Sequence, residues 1–408
     1  MAINSEFTLP SFYRDTLTPP EEINRRILSF QKLLSKEGIE GALIYQNVDL
    51  YYFTGTLQNG FLFLPSEGEP LLLIKKEFQR AQAESPLERV EWLPSITDLG
   101  ERIRRCGLRI PACLGLELDV LPFSTFQFLK DILKFEQSRD VWPLIRSLRE
   151  TKSVYELGLL KRAGEIGEKI YQEICEHIRP GSSEIEIAGW MNYLAMRQGH
   201  QNILRSRGFN SEIYTWHVVS GQLGTLPSHI DAPFSGLGLS PAFPLGASLK
   251  PIQKREPVLI DFGTCYTGYQ VDQTRMYSIG KPDDEYLEAY EALREIEAHL
   301  LQHLRPGVPA ESLFPLALAK GGELGFEAVF LGPPERKVRY VGHGVGLESP
   351  ETPFLAPGHS YPLREGMTLA LELKIVLEKG AVGFENTVVV TKNGPEKLTP
   401  SSEELVII

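Results

Sequence analysis

Nowhere in the chain of 408 residues does an apolar run approach the roughly 20 residues that a membrane-spanning helix requires, so no segment is expected to cross a bilayer. The N-terminal stretch, Met-Ala-Ile-Asn-Ser-Glu-Phe-Thr-Leu-Pro, has no basic start and no apolar core. No secretory leader is expected, and the cytoplasm is the default compartment. Cysteine is scarce: Cys106, Cys113, Cys175 and Cys265 form no Cys-x-x-Cys pair and no paired spacing. This argues against a cystine framework and reads as reduced, buried thiols. Positive charge is not in excess either, since 42 Lys and Arg face 53 Asp and Glu for a net charge of -11. That balance argues against nucleic acid as a main partner and against docking on an anionic membrane. The first 150 residues hold no Gly-x-Gly-x-x-Gly and no phosphate loop, so nothing in them suggests nucleotide chemistry.

What is present is an ordinary globular balance, 42% apolar and 23% charged, in a chain long enough for two or three domains. Residues 21–37 place Ile23, Ile27, Phe30, Leu33 and Leu34 at the helical period, with Gly38 as the stop. Short strands and helices then alternate to about residue 150, which predicts an α/β domain over 1–150. An amphipathic helix from Ser153 to about residue 178 opens a second domain, 151–408. Ser183 and Glu186 form a capping-box pair that starts the next helix, expected to bury Ile187, Trp190, Met191, Leu194 and Ala195. Residues 199–246 are rich in Gly, Pro and Ser yet hold Trp216, His217, His229, Phe234 and Phe243. A long loop with that aromatic content reads as functional rather than disordered. The order helix pair, hairpin, helix pair, strands suggests two similar halves.

The chain is organised around residues 257–279, Pro-Val-Leu-Ile-Asp-Phe-Gly-Thr-Cys-Tyr-Thr-Gly-Tyr-Gln-Val-Asp-Gln-Thr-Arg-Met-Tyr-Ser-Ile. Two runs of strand length carry one carboxylate each, Asp261 and Asp272, and Thr267-Gly268 marks a turn between them. A hairpin folding back there brings the carboxylates together, which is costly unless a cation lies between them. The pair is either half of a metal site or two ordinary strand-end aspartates. Cys265 lies close by, but a thiolate fits poorly beside hard carboxylates. His343 stands in Val-Gly-His-Gly-Val-Gly-Leu, where glycines allow close backbone approach. Glu372 interrupts the apolar strand 367–376 and shares a face with Ala370 and Lys374 by the two-residue period. Glu385 enters the β-branched strand 383–390 in the same way. Carboxylates in strands this apolar are solvent-facing or paired, and two such strands in succession favour pairing. Four carboxylates balance two divalent cations, and one imidazole completes a donor set suited to Mn, Fe, Co or Zn. Two such ions about 3.5–4 Å apart can share a water and aim the resulting hydroxide at a carbonyl, the chemistry of amide hydrolysis.

These five residues resemble the dinuclear metallopeptidases of the pita-bread fold: aminopeptidase P, prolidase and methionine aminopeptidase, with creatinase as a metal-free relative. The resemblance rests on Asp261-x-Gly263, Gly268-Tyr-x-x-Asp272-x-Thr-Arg275, Gly342-His343-Gly-Val-Gly-Leu, Glu372 and Glu385, and covers about residues 151–408. The first 150 residues, including Tyr52-Phe-Thr-Gly55, look like the creatinase-type N-terminal domain. The resemblance implies an α+β pita-bread catalytic domain preceded by that α/β domain, and a homodimer. It also implies two divalent ions, manganese foremost, held by Asp261, Asp272, His343, Glu372 and Glu385. Asp272 and Glu385 would bridge the ions, and His343 with Glu372 would complete one of them. The implied activity is Xaa-Pro aminopeptidase-like or dipeptidase-like hydrolysis of a small peptide. An alternative is a small-molecule amide hydrolase of the same fold, and a second is a non-catalytic binding protein that keeps it.

Several family positions are altered. The second His, seven residues after His343, is Pro350, followed by Glu351. After Ser220-Gly221 and Pro227, Ser228 fills another His position, and His229 lies one residue late. The Arg two residues before the last Glu is Gly383, and Glu-Pro-Gly becomes Glu372-Leu-Lys374. His229 and Glu351 are therefore candidate accessory catalytic residues. His217 and Lys374 are further substitutes, and each of the four reads equally well as structural.

Overall fold

The computed structural model of the chain describes residues 7–212 and 217–408, so residues 1–6 and Trp216 of the aromatic loop lie outside the described residues. The chain divides into two compact units, Met1–Arg149 and Glu150–Ile408.

In the first unit the helices are α1 (Ser11–Arg14), α2 (Pro20–Lys36), α3 (Asn47–Thr54), α4 (Phe78–Glu84), α5 (Leu99–Arg105), α6 (Phe123–Leu133) and α7 (Trp142–Arg149). They accompany strands β1 (Gly41–Ile44), β2 (Gly60–Pro65), β3 (Leu71–Ile74), β4 (Val90–Trp92), β5 (Cys113–Leu116) and β6 (Gln137–Asp140). The sheet order is β4-β3-β2-β1-β5-β6, with β1 antiparallel to β2 and parallel to β5. Strands β2 and β3 are buried along their whole length, which explains their unbroken apolar sequence. The apolar run 50–54 is helical: the Gln46 side chain accepts from the Val48 and Asp49 amides, and Gly55 ends α3 at φ 73.

The second unit begins with α8 (Val154–Glu173) and α9 (Glu184–Arg197), each opened by a complete capping box, Ser153 with Glu156 and Ser183 with Glu186. In α9, Ile187, Met191, Leu194 and Ala195 are buried, but Trp190 is 41% exposed, contrary to expectation. It lies at the edge of the apolar stripe, where its ring stacks on His177 with centroids 3.8 Å apart. Helices α10 (Asp284–His303) and α11 (Leu313–Glu323) form the second pair.

The strands are β7 (His217–Ser220), β8 (Val258–Asp261), β9 (Thr264–Tyr266), β10 (Tyr269–Val271), β11 (Thr274–Ser278), β12 (His343–Gly344), β13 (Glu351–Phe354), β14 (Thr368–Leu377), β15 (Gly380–Val389), β16 (Glu396–Lys397) and β17 (Val406–Ile407). The main sheet runs β13-β12-β14-β15-β11-β8-β7, with β16 beside β15 and β17 beside β11. Its centre is palindromic in kind: β12-β14-β15 in one half faces β11-β8-β7 in the other. The sequence hairpin is split between two sheets. β8 and β11 belong to the main sheet, while β9 and β10 form a separate ribbon closed by Thr267 at φ 48 and Gly268 at φ 84. Two successive positive φ values suit a tight hairpin turn.

Helices back one face of the main sheet. Ile260 and Tyr277 pack with α8 and α9 through Ile166, Ile170 and Met191. Leu371, Leu373 and Phe384 pack with α10 and α11 through Leu293, Ile296 and Leu313. By strand alternation, Asp261, Thr274, Glu372 and Glu385 all point to the opposite face.

Candidate metal centre

Register across the sheet assembles the site. His217 pairs with Asp261, Asp261 with Thr274, Thr274 with Glu385, and Glu385 with Glu372. Directly opposed residues share a face with Cβ atoms about 4.5–5.5 Å apart, so these five side chains form one transverse row. Asp272 lies two residues before Thr274, and Lys374 two residues after Glu372. His343, in β12, pairs with Ala370, two residues before Glu372.

The backbone around each donor is held from several directions. The Thr387 hydroxyl accepts from the Asp272 amide at 2.9 Å and donates to the Asp272 carbonyl at 2.8 Å. Arg275, 2% exposed, donates to the carbonyls of Thr274, Glu385, Ser401 and Ser402 and to Asn386 Oδ1. It thereby clamps β11 to β15 at the point where Thr274 opposes Glu385. Gly344 next to His343 is required by close approach, because a Cβ there would lie 2.3 Å from the Thr352 carbonyl oxygen. The His343 Nδ1 lies 3.1 Å from the Gly344 carbonyl. A carbonyl only accepts, so Nδ1 carries the proton and Nε2 keeps its lone pair for a ligand.

Two overlapping donor triads result. Asp272, His343 and Glu385 offer atoms all within 4.8 Å of one another, and so do Asp261, Glu372 and Glu385. Glu385 is common to both. Its Oε2 accepts from the Thr274 hydroxyl at 2.8 Å, while its buried Oε1 has no hydrogen-bond partner. Glu372 Oε2 lies 3.9 Å from His343 Nε2, within reach of either triad. All five sequence-predicted ligands are thus brought together.

The electrostatics show what this grouping costs. Burial, then the charges of Asp261 and Glu372, push the Asp272 carboxyl up to about 8. Burial and then Asp272 and Asp261 raise Glu385 well above the ordinary carboxylate range. Burial would also raise Asp261, but the Lys374 ammonium and His217 outweigh it and hold this carboxyl low. The Lys374 Nζ donates to Asp261 Oδ2 at 2.9 Å and to Thr274 Oγ1 at 2.7 Å, and His217 Nδ1 lies 3.5 Å from Asp261 Oδ2. A partnerless buried oxygen, crowded carboxylates and a free imidazole nitrogen fit a divalent cation.

A cavity of about 680 Å³ opens over the row. His217, Asp261, Asp272, His343 and Glu372 form its floor, and Arg339, Tyr340, Pro350, Phe354 and His359 are among its walls. Glu351 points elsewhere: it is 8% exposed and bonded to Lys152 Nζ at 2.7 Å. His229 is exposed, with Nδ1 3.4 Å from the Ser228 hydroxyl, and does not line the cavity. Cys265 is a buried strand residue in β9 whose thiol burial pushes up to about 12, with Sγ 3.4 Å from Gln201 Oε1. Tyr340, Arg339 and His359 carried no signal in the sequence, because each sits in or beside loops whose path no periodicity sets.

The profile of "Metallopeptidase family M24" matches residues 158–392, and that of "Creatinase/Prolidase N-terminal domain" matches residues 26–151. A relative named Xaa-Pro dipeptidase, from Pyrococcus horikoshii, is 27% identical over 94% of this chain and 99% of its own. Among solved structures, the prolidase from Pyrococcus horikoshii superposes with a TM-score of 0.78 at 27% identity, covering 94% of this chain and 100% of that one. The X-Pro aminopeptidase from Thermotoga maritima gives 0.78 at 25% identity, covering 91% of this chain and 98% of that one.

Proposed function

The chain belongs to metallopeptidase family M24, and on that premise we propose that it hydrolyses the amide bond of small peptides of the Xaa-Pro type. The observation that carries this reading is the pair of donor triads sharing Glu385, in which four carboxylates and the His343 imidazole from separate segments converge, all but Glu385 on the floor of one cavity. Asp261, Asp272, His343, Glu372 and Glu385 would hold divalent metal, with manganese the natural choice for a donor set this rich in oxygen. When bound, such an ion supplies Lewis-acid chemistry, acidifying a water and polarising a carbonyl. Glu372, on the cavity floor beside His343, is placed to take the proton of the attacking water. The Tyr340 hydroxyl stays protonated, because burial and the nearby Glu372 raise its pKa. It donates to the Asp231 carbonyl at 3.1 Å, and turned from that partner to the substrate it would be a donor for the carbonyl oxygen as negative charge develops there. Arg339 at the wall is a partner for a free peptide carboxylate. A cavity of about 680 Å³ suits a short peptide. A homodimer in the cytoplasm is part of the same proposal, supported by free cysteines and the family resemblance.

The test is to load the protein with manganese and assay Xaa-Pro dipeptides, longer Xaa-Pro peptides and N-acyl amino acids side by side. Proline released from dipeptides is the expected result, abolished in Asp272→Asn. Turnover of N-acyl amino acids alone would make the chain a small-molecule amide hydrolase, and no turnover with no metal uptake would make it a binding protein.

A further inference from the structure

The two triads are not equivalent, because a cation of the chain's own already sits in one of them. Lys374 is 1% exposed, and its Nζ lies 2.9 Å from Asp261, 3.7 Å from Glu372 and 3.7 Å from Glu385. Those are the three members of the second triad. Among the described residues, neither Asp272 nor His343, the other two members of the first triad, pairs with it.

The fold makes room for this lysine. In the β14–β15 register Lys374 faces Gly383. A Cβ at residue 383 would lie 2.8 Å from Lys374 Cδ and 2.6 Å from Leu259 Cδ1, so the glycine is what lets the lysine stem cross the neighbouring strand. Thr274 completes the seat: its hydroxyl accepts from Nζ at 2.7 Å and donates a hydrogen bond to Glu385 Oε2 at 2.8 Å. Glu385 is thus divided, one oxygen turned to the ammonium side and the buried Oε1 left without a partner.

We propose that the Lys374 ammonium permanently fills the second cation position, so that each chain takes one divalent ion, held by Asp272, His343 and Glu385 with Glu372 beside them. This rests on the metallopeptidase reading above and narrows it to one ion, with Asp261 given to the ammonium and not to metal. A divalent ion binds oxygens at about 2.0–2.2 Å. An ion meeting Asp261, Glu372 and Glu385 at that range would lie against an ammonium that already holds Asp261 Oδ2 at 2.9 Å and stands 3.7 Å from an oxygen of each of the other two, so the two cations would compete for one charge-lined position. The ammonium supplies a fixed positive charge there and needs no metal supply.

The test counts ions without reference to turnover. Wild type, Lys374→Ala and Lys374→Arg are dialysed against manganese and analysed for metal per chain, with circular dichroism to verify folding. One ion per chain is expected for wild type and Lys374→Arg, and two for Lys374→Ala. Electron paramagnetic resonance of manganese-loaded wild type gives a readout that needs no variant: an isolated ion is expected, without exchange coupling. Two ions in wild type, an exchange-coupled pair, or one ion in a folded Lys374→Ala would overturn the proposal. No ion in any of them would instead overturn the metallopeptidase reading.

Discussion

Asp272 offers a measurement in which the proposed ligand role and the stability of the fold pull in opposite directions. In the metal-free chain, burial and the charges of Asp261 and Glu372 push its carboxyl to about 8. An unfolded Asp titrates near 3.9. A carboxyl raised on folding holds a proton that the unfolded chain has already released. The folded state is therefore destabilised as pH climbs from about 4 through about 8. Moving a titration midpoint by one pH unit is worth about 1.36 kcal/mol, so the full displacement comes to roughly 5–6 kcal/mol. Repulsion is shared with Asp261 and Glu385, which makes this a ceiling for one residue. For a chain of 408 residues about 1 kcal/mol moves Tm by roughly 1 °C. The Asp272→Asn variant, stripped of metal by chelator, should melt several degrees above wild type at pH 8 and level with it at pH 4–5. Manganese at a hundred times its Kd should add about 2.7 kcal/mol to wild type and nothing comparable to the variant. Differential scanning calorimetry with and without manganese at the two pH values reads all of this. A metal-free variant that melts below wild type at pH 8, or a gap that does not change with pH, would refute the reasoning.

Glu351→Gln removes the partner of Lys152 from a pair whose side chains are 6% and 2% exposed, and should cost about 3–5 kcal/mol in denaturant unfolding. A loss below about 1 kcal/mol would mean that the pair is solvated. His229→Ala should leave kcat/KM on an Xaa-Pro dipeptide nearly unchanged, because the ring is exposed and outside the cavity lining. A fall of roughly 10²-fold or more, the size of a lost general acid–base, would return it to the mechanism. Gly164→Ala should destabilise by about 1–3 kcal/mol, although alanine is the better helix former, because its Cβ would lie 1.9 Å from the Leu398 carbonyl oxygen. A more stable variant would show that α8 can withdraw from that strand connection.

Much of the site was legible because its donors interrupt apolar strands. Glu372 and Glu385 stand in runs whose other residues are buried, so the two-residue period gives their common face. The capping boxes of α8 and α9 were visible for a similar reason, since Ser and Glu three residues apart act locally. Register is what the sequence withholds. Thr274 opposes Asp261 on one side and Glu385 on the other, the latter across 111 residues of chain. No local pattern encodes such a pairing, so nothing in the sequence marks Thr274 as the residue that seats Lys374. Lys374 itself was visible on the face of Glu372, but its meeting with Asp261 depends on Gly383 lying across from it. His229 drew attention through its place after Pro227, while the histidine that reaches Asp261 is His217, held in β7. Loop residues take their positions from tertiary contacts, and a shift of one residue there carries no periodic signature.

The cost of the row is itself an argument for cation binding. Residues of one sign directly opposed across strands destabilise a sheet, and Glu372 and Glu385 are such a pair. Burial compounds this, since Glu385 is 1% exposed and its Oε1 meets no donor. Lys374 offsets part of the charge, and four carboxylates against one ammonium still leave three negative charges on one face. The clamp around them is stiff: Arg275 fixes the backbone of Glu385 from the opposite face, and Thr387 fixes that of Asp272. A sheet that holds crowded carboxylates so rigidly cannot relieve their repulsion by letting them swing into water. The crowding raises the Asp272 and Glu385 carboxyls in the bare chain, and a divalent ion bound among them relieves the same repulsion. Rigid crowding of that kind disfavours the empty state and favours the loaded one, which is what a preorganised metal site requires.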